Sequence, residues 1–350
     1  DYSGSCPALL LEPQRTNVVS QSEYFGDSSW NNSNQVTRSI SSTSSPEGKL
    51  NAYDIIPTTS NTNHTLRAPN LSGFTSGAVV NVSFFAKANG YKFISVVGGF
   101  GSSSTPAVVF NLDEGTITSG TGTIEAYGNG WYRCVSPITL NATALYCVAT
   151  ILDDNESGSF AGDGTSAVIV YGYQIEEASY PTSYIPTYGS SVTRSNDDMD
   201  TDFSSALATN GSATIFFHEL GLADSDDINT TGGGYRYQKD VSNYVSLTTN
   251  DTAWRVRVQS GGTSNFKGLN SHPKTSPIKV AIVVTSSTFS VYANGVKELD
   301  NQPLSSTADF SSINRFQTII AENIGVRKTM QHAVFPTALT DSECIALTTI

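Results

Sequence analysis

Apolar and polar positions alternate with a period of two along most of the chain, and the helical period of 3.6 is nearly absent. Val79 to Ala86 (VVNVSFFA), Phe93 to Val97, Ala107 to Leu112, Tyr132 to Ile138, Leu145 to Leu152 and Ala167 to Ile175 read as strands. A second series follows with Ala213 to Glu219, Tyr244 to Leu247, Trp254 to Val258, Ile278 to Val284 and Phe289 to Tyr292. Strands spaced about 10 to 15 residues apart, with Gly and Asn turns between them, predict β-sandwiches or jelly rolls. Within FSVYANGVKE, Asn294-Gly295 separates two alternating runs. Asn-Gly suits both positive-φ positions of a type I′ turn, so a two-residue hairpin is expected there. One helix is expected, at the end. Thr340 and Glu343 have the spacing of a capping box, and Ile345-Ala346-Leu347 supplies a short apolar face. Between the two series, Ile185 to Ser191 is turn-rich and Ser195-Asn196-Asp197-Asp198 is polar and charged. The boundary is placed here, giving domains 1–195 and 196–350. The predicted fold is all-β: two tandem sandwich (jelly-roll) domains with one short C-terminal helix.

Composition narrows the function. The 350 residues are 38% hydrophobic and 10% aromatic, which argues against disorder. Charged residues are 14%, against about 25% in an average soluble protein. With 19 basic and 31 acidic residues the net charge is −12. That balance argues against nucleic acid as a partner, because phosphate binding needs surplus Lys and Arg. No apolar run approaches the roughly 20 residues that span a bilayer as a helix. The longest, Ala144 to Ala149, is strand-sized, so membrane insertion is not expected. Asp1 opens a polar stretch unlike a signal peptide, and the absence of an initial Met suggests a mature product or a fragment. Cys6, Cys134, Cys147 and Cys344 form no C-x-x-C pair. Buried free thiols are the first expectation, and a Cys134–Cys147 bridge in an oxidising compartment is the alternative.

Signals for catalysis are weak. There is no G-x-S-x-G elbow, and no H-E-x-x-H among His64, His218, His272 and His332. S-x-x-K occurs at Ser264 to Lys267 and at Ser271 to Lys274, in a Gly/Pro/Ser-rich stretch read as loop, without its companion motifs. Gly232-Gly233-Gly234 lacks the residues of a phosphate-binding loop. Glycoside hydrolysis needs two carboxylates about 5 to 9 Å apart. The doublets Asp113-Glu114, Asp153-Asp154 and Glu176-Glu177 are poor pairs, because neighbours on a strand face opposite ways. They read as solvated turns. Uronic-acid lyase chemistry calls for a basic cluster with Tyr or His. Tyr235-Arg236-Tyr237 and Trp254-Arg255-Val256-Arg257 come nearest to it. No enzymatic turnover is expected. A structural calcium ion is the one cofactor considered, at Asp153-Asp154-Asn155-Glu156 or Asp224 to Asp227, where oxygen ligands gather in sequence.

Two sets of stretches carry family resemblances. PALLLEPQRTN (Pro7 to Asn17), YGYQIEEASYPTSYIPTYGSSVTR (Tyr171 to Arg194) and the internal GNGWYR (Gly128 to Arg133) resemble segments of a carbohydrate-binding-module-like jelly roll in bacteriophage tail and virion fibre proteins. FSVYANGVKE, Ile324-Gly325, Phe335 to Glu343 and the closing Leu347 to Ile350 resemble a laminin-G/concanavalin-A-like lectin domain. The resemblance implies a virion fibre or receptor-binding protein. It would be extracellular on the particle, homotrimeric, in contact with other virion proteins, and attached to a host-surface polysaccharide. A non-binding head fibre or decoration protein and a polysaccharide-degrading tailspike are the alternatives. The flanking motifs also have a structural reading. Glu12, Arg15, Glu176 and Arg194 need partners close to apolar runs, which suits a clasp between the ends of the domain.

Sugar rings are held by aromatic faces, with Asn, Gln, Asp and Arg on their hydroxyls. Aromatics interleaved with such groups occur at Tyr91, Phe93, Trp131, Arg133, Tyr173 and Gln174, and again at Tyr235, Tyr237, Trp254, Arg255 and Arg257. The candidate carbohydrate-binding residues are Tyr235, Tyr237, Trp254, Arg255 and Arg257, with Tyr91 and Arg133 in the first domain. Trp131 reads as a packed anchor beside its turn. If Trp254 and Val256 face the core, Arg255 and Arg257 face outward.

Overall fold

The computed structural model describes residues 9–30, 33–100, 103–104, 108–197, 200–209, 211–222, 233–250, 252–305, 308–319 and 327–350. The chain forms two compact units, residues 15–194 and residues 195–350 together with 1–14. Both are built from antiparallel sheets. Among the described residues no helix is long and apolar enough to cross a membrane.

In the 15–194 unit one sheet runs in the order Thr123–Ala126, Tyr132–Thr139, Val79–Asn89, Ala167–Glu177, Tyr53–Pro57, Val36–Ile40. The other runs Thr116–Ser119, Val108–Asn111, Phe93–Phe100, Ala144–Leu152, Thr62–Arg67, Ser159–Phe160. Val82, Phe84, Val96, Phe110, Ala149, Ile151 and Tyr173 fill the space between them. The first sheet also buries part of its outer face. Phe85, Trp131, Ile169 and Tyr171 form a small aromatic cluster there, with Tyr184 packed against it. A β-bulge in Ala167–Glu177 makes this possible. Tyr171 and Tyr173 would share a face in a regular strand. Gly172, at φ 64°, breaks the alternation, so Tyr173 enters the main core and Tyr171 the outer cluster.

The ends of this unit are joined as a clasp. Arg15–Asn17 pairs with Val192–Arg194 in antiparallel register. Asn17 is fully buried and uses both ends of its amide. Nδ2 donates to the carbonyls of Tyr173 (3.3 Å) and Ile185 (2.9 Å). Oδ1 accepts from the amides of Val19 (3.1 Å) and Ile175 (3.2 Å). The Thr187 hydroxyl donates to the Val19 carbonyl, and the Arg15 guanidinium donates to the Tyr180 hydroxyl at 3.2 Å. Glu176 differs from the expected solvated turn. It is buried on its strand and accepts from Gln174 Nε2 and the Thr182 amide, while exposed Glu177 accepts from the Thr75 amide.

The other unit has two six-stranded sheets. One runs Leu9–Leu11, Arg327–Phe335, Ala213–Leu222, Ile278–Val284, Thr288–Ala293, Val296–Pro303. Leu9–Leu11 pairs with Arg327–Phe335, so the start of the chain belongs with 195–350 rather than with 15–194. The second runs Asp200–Ala208, Ser312–Ile319, Gly234–Asp240, Asn243–Thr249, Ala253–Ser260, Thr263–Pro273. Ile215, Phe217, Val280, Ile282, Val245, Leu247, Val256 and Val258 pack between them. Asn294 and Gly295 have φ 46° and 80°, as the type I′ hairpin requires. The helix Asp341–Thr348 carries the full capping box of Thr340 and Glu343. The stretch read as loop around Ser264 to Pro273 is instead an eleven-residue strand. Cys134, Cys147 and Cys344 are buried free thiols, so Cys134 and Cys147 form no bridge. Cys6 lies outside the described residues.

Candidate functional site

The outer face of the second sheet in the 195–350 unit gathers the chemistry. Strand pairing sets Gln317 beside Arg236, Arg236 beside Ser246, Ser246 beside Arg257 and Arg257 beside Phe266. The adjoining rows hold Gln238, Tyr244 and Gln259 on one side, Thr248 and Arg255 on the other. The Arg236 guanidinium carbon lies 4.1 Å from the Tyr244 ring centroid, and that of Arg257 lies 5.2 Å from the same ring. Arg257 and Arg255 lie 5.3 and 5.0 Å from the Phe266 centroid. The order Arg236, Tyr244, Arg257, Phe266, Arg255 is a ladder of guanidinium groups and rings. Phe266 is 53% exposed, whereas Tyr244 is buried beneath its arginines.

The electrostatics of this face are unusual for an acidic chain. Among the described residues none of Arg236, Arg255 and Arg257 meets a carboxylate. Arg257 donates to Gln259 Oε1 (3.1 Å) and Ser264 Oγ (2.8 Å). Nε of Arg236, Nε of Arg257 and Oε1 of Gln238 are buried without a hydrogen-bond partner. Burial, together with the charge of Arg257, holds the Arg236 guanidinium below its ordinary pKa. Such a face offers fixed cations, planar donors and an exposed ring, and it suits a ligand that brings acceptors.

The residues singled out from the sequence divide sharply. Arg255 and Arg257 point outward into this ladder. Tyr235, Tyr237 and Trp254 do not. They are in the core, with 0, 7 and 1% exposure, and offer no ring face to a sugar. The Tyr235 hydroxyl bonds Thr329 Oγ1, and the Tyr237 hydroxyl lies 3.4 Å from Nδ1 of His332. His332 in turn bonds the buried Glu219 at 2.7 Å, completing an internal polar network. The cause is the period of two: the strand that sends Arg255 and Arg257 outward must send Trp254 and Val256 inward. In the 15–194 unit, Arg133 is 7% exposed and donates to Ser83 and to the Thr182 carbonyl. It anchors the segment after Ala167–Glu177. Tyr91 packs on Phe160 at 5.3 Å, and its hydroxyl accepts from the Asp163 amide.

Tyr244 and Phe266 were not singled out from the sequence. The overlooked signal is Gly261-Gly262, whose φ values of 52° and 83° form a two-residue turn between Ala253–Ser260 and Thr263–Pro273. Once that hairpin is recognised, Phe266 falls opposite Arg257.

The other candidate chemistries disperse. Ser264 and Lys267 lie three apart on a strand. The serine hydroxyl donates to Gln259, and the lysine pairs with Glu298 at 3.4 Å. Asp113 and Glu114 occupy a turn whose two amides are held by Asn111 Oδ1. At the proposed calcium loop, Asp153 accepts from the Asn155 and Ser157 amides, Asp154 meets Lys92 at 3.2 Å, and Glu156 accepts from Thr118. Each of these carboxylates has its own partner. Among the described residues no three His, Cys, Asp or Glu side chains gather as a metal site. Asp224, Asp226 and Asp227 lie outside the described residues, as do Ile324 and Gly325.

No protein-family model matches the sequence, and a search of curated proteins finds no match. Among solved structures the chain is similar to the receptor-binding domain of botulinum neurotoxin C/D mosaic serotype, at 13% identity and a TM-score of 0.34. That match covers 43% of this chain and 40% of the toxin domain, so the shared part is less than half of either. The binding domain of botulinum neurotoxin DC, solved with rat synaptotagmin II, matches at 15% identity and a TM-score of 0.32, over 40% of this chain and 36% of that one. CG-16, a homodimeric agglutinin from chicken liver, matches at 9% identity and a TM-score of 0.27, over 40% of this chain and 100% of the agglutinin. Matches this distant leave the reading of the chain to its own side chains.

Proposed function

We propose that the chain is a non-catalytic receptor-binding protein that attaches to an acidic host-surface polysaccharide through the outer face carrying Arg236, Tyr244, Arg255, Arg257 and Phe266. The observation that carries this reading is the ladder itself. Three arginines stand together with no carboxylate partner among the described residues, in a chain of net charge −12. Like charges are gathered at an electrostatic cost, and an anionic ligand relieves it. Carboxylates of uronic acids meet the guanidinium forks, and the exposed Phe266 ring takes the apolar face of a sugar. The setting on a bacteriophage fibre, its trimeric state and its contacts with other virion proteins rest on the sequence resemblance of Pro7 to Asn17, Tyr171 to Arg194 and Leu347 to Ile350. In a trimer, repeated weak sites add avidity to modest single-site affinity.

The test is binding of the labelled full chain to host cells with and without their surface polysaccharide, and to purified acidic and neutral capsular polysaccharides. Binding should require the acidic polymer and weaken as salt rises through 0.15 M, where the Debye length is about 8 Å. Replacing Arg255 and Arg257 together by Ala should lower affinity by at least about tenfold, each lost charged hydrogen bond contributing roughly 1.5–3 kcal/mol. Binding that is indifferent to the polymer, or unchanged in the folded double variant, would falsify the assignment.

A further inference from the structure

A second candidate site lies in the 15–194 unit and shares no residue with the arginine ladder. It begins as a turn. Gly128, Asn129 and Gly130 all have positive φ (78°, 52° and 77°), which reverses the chain within three residues. The Tyr127 amide then donates to the Trp131 carbonyl at 2.8 Å. The two aromatics are thereby fixed on either side of the turn. Trp131 is 3% exposed, and its Nε1 donates to the Ser44 carbonyl at 3.0 Å, which pins the 43–48 segment beside it. Tyr127 stays 48% exposed, its ring held edge-on to Phe85 at 4.9 Å. Between the turn and the 43–48 segment lies a cavity of about 250 Å³, lined by Thr43, Ser45, Lys87, Tyr127, Asn129 and Trp131 among others.

Two groups in this cavity lack the partners a purely structural role would supply. Ser45 is 4% exposed and its hydroxyl has no hydrogen-bond partner, which is rare for a buried polar atom. Lys87 donates to the Asn129 carbonyl at 2.7 Å and meets no carboxylate among the described residues. Two of its three donors therefore remain for a ligand. The volume falls below the roughly 300–1,000 Å³ of pockets for drug-sized ligands, and it matches a single ring. An exposed tyrosine ring, the buried Ser45 hydroxyl and the remaining donors of the Lys87 ammonium are complementary to a sugar ring bearing a carboxylate.

We propose that this pocket binds one pyranose unit carrying a carboxylate, with Lys87 on the carboxylate, Ser45 on a ring hydroxyl and Tyr127 against the C–H face. The proposal is independent of the arginine face, because it concerns different residues in the other unit.

The test uses the full chain labelled with ¹⁵N, titrated with methyl β-glucuronide and, separately, methyl β-glucoside. The indole N–H of Trp131 reports on the pocket, and those of Trp30 and Trp254, both buried in cores, are internal controls. The expected result is a saturable millimolar shift of Trp131 alone, with affinity for the glucuronide about tenfold above that for the glucoside. Tyr127→Ala should abolish the shift. Lys87→Met should erase the preference for the glucuronide while leaving the unfolding midpoint unchanged. Arg255→Ala with Arg257→Ala should leave the titration as it is, so failure of the arginine face and failure of this pocket are read separately. No Trp131 shift through the millimolar range, equal response to both glycosides, or an unaltered preference in Lys87→Met overturns the proposal.

Discussion

Single side chains divide between packing and recognition along one short strand. Trp254 and Arg255 are neighbours, yet Trp254 is 1% exposed among Tyr235, Val245 and Leu269, while Arg255 stands over the exposed Phe266. The expected consequences of substitution are therefore opposite in kind. Trp254→Ala should lower stability by about 3–5 kcal/mol, measured by denaturant unfolding, as for a large aromatic removed from a packed core. Any loss of cell binding in that variant should follow the unfolded fraction, since no face of the ring is presented to a ligand. Asn17 makes a second case at this scale. Its four hydrogen bonds tie Val19, Tyr173, Ile175 and Ile185 together. Asn17→Ala strands buried backbone groups, each worth about 1–3 kcal/mol when left unmade. The unfolding midpoint should fall accordingly, while polysaccharide binding at temperatures below it stays intact. The PQRTN motif is thus explained as a clasp.

At the scale of elements, turns decide where strands are and which residues meet. The Asn294-Gly295 hairpin was legible because Asn-Gly between alternating runs has one good conformation. Gly295 sits at φ 80°, and a Cβ there would lie 3.2 Å from Thr349 Oγ1. Gly295→Ala should cost about 1–2 kcal/mol, the usual penalty for a left-handed Cβ, seen as a lower thermal midpoint. Gly261-Gly262 carries the same message in a less familiar form, and missing it turned the strand Thr263–Pro273 into an expected loop. That single turn hid Phe266, and with it half of the ladder. The bulge at Gly172 was equally illegible, because alternation of apolar residues looks regular through it. Its effect is felt only in three dimensions, where it provides Tyr171 for the outer aromatic cluster beside which Tyr127 and Trp131 form a pocket.

For the whole molecule, burial sets chemical reactivity as well as stability. Desolvation pushes the Cys147 thiol up to about 12 and Cys344 up to about 11, and raises Cys134 further. The thiolate is the reactive form, so all three should resist alkylation at neutral pH and react fully once the chain is unfolded. Mass spectrometry of the native and denatured protein counts the labels, and rapid native labelling of any of the three would contradict the packing. The all-β class, the strand periods, the hairpin, the capped helix and the placement of Arg255 and Arg257 on the face opposite Trp254 and Val256 were all determined by the sequence alone. These are local properties, written in the period of two and in turn chemistry, and neighbouring residues suffice to set them. The residues that share a face were decided by tertiary structure. Register across five strand pairs places Asp200, Gln317, Arg236, Ser246, Arg257 and Phe266 in one row. Pairing also carried Leu9–Leu11 to Arg327–Phe335, and packing withdrew Tyr235, Tyr237 and Trp254 into the core. Such contacts join positions far apart in the chain, and their energy comes from apolar burial between sheets, which no local pattern specifies.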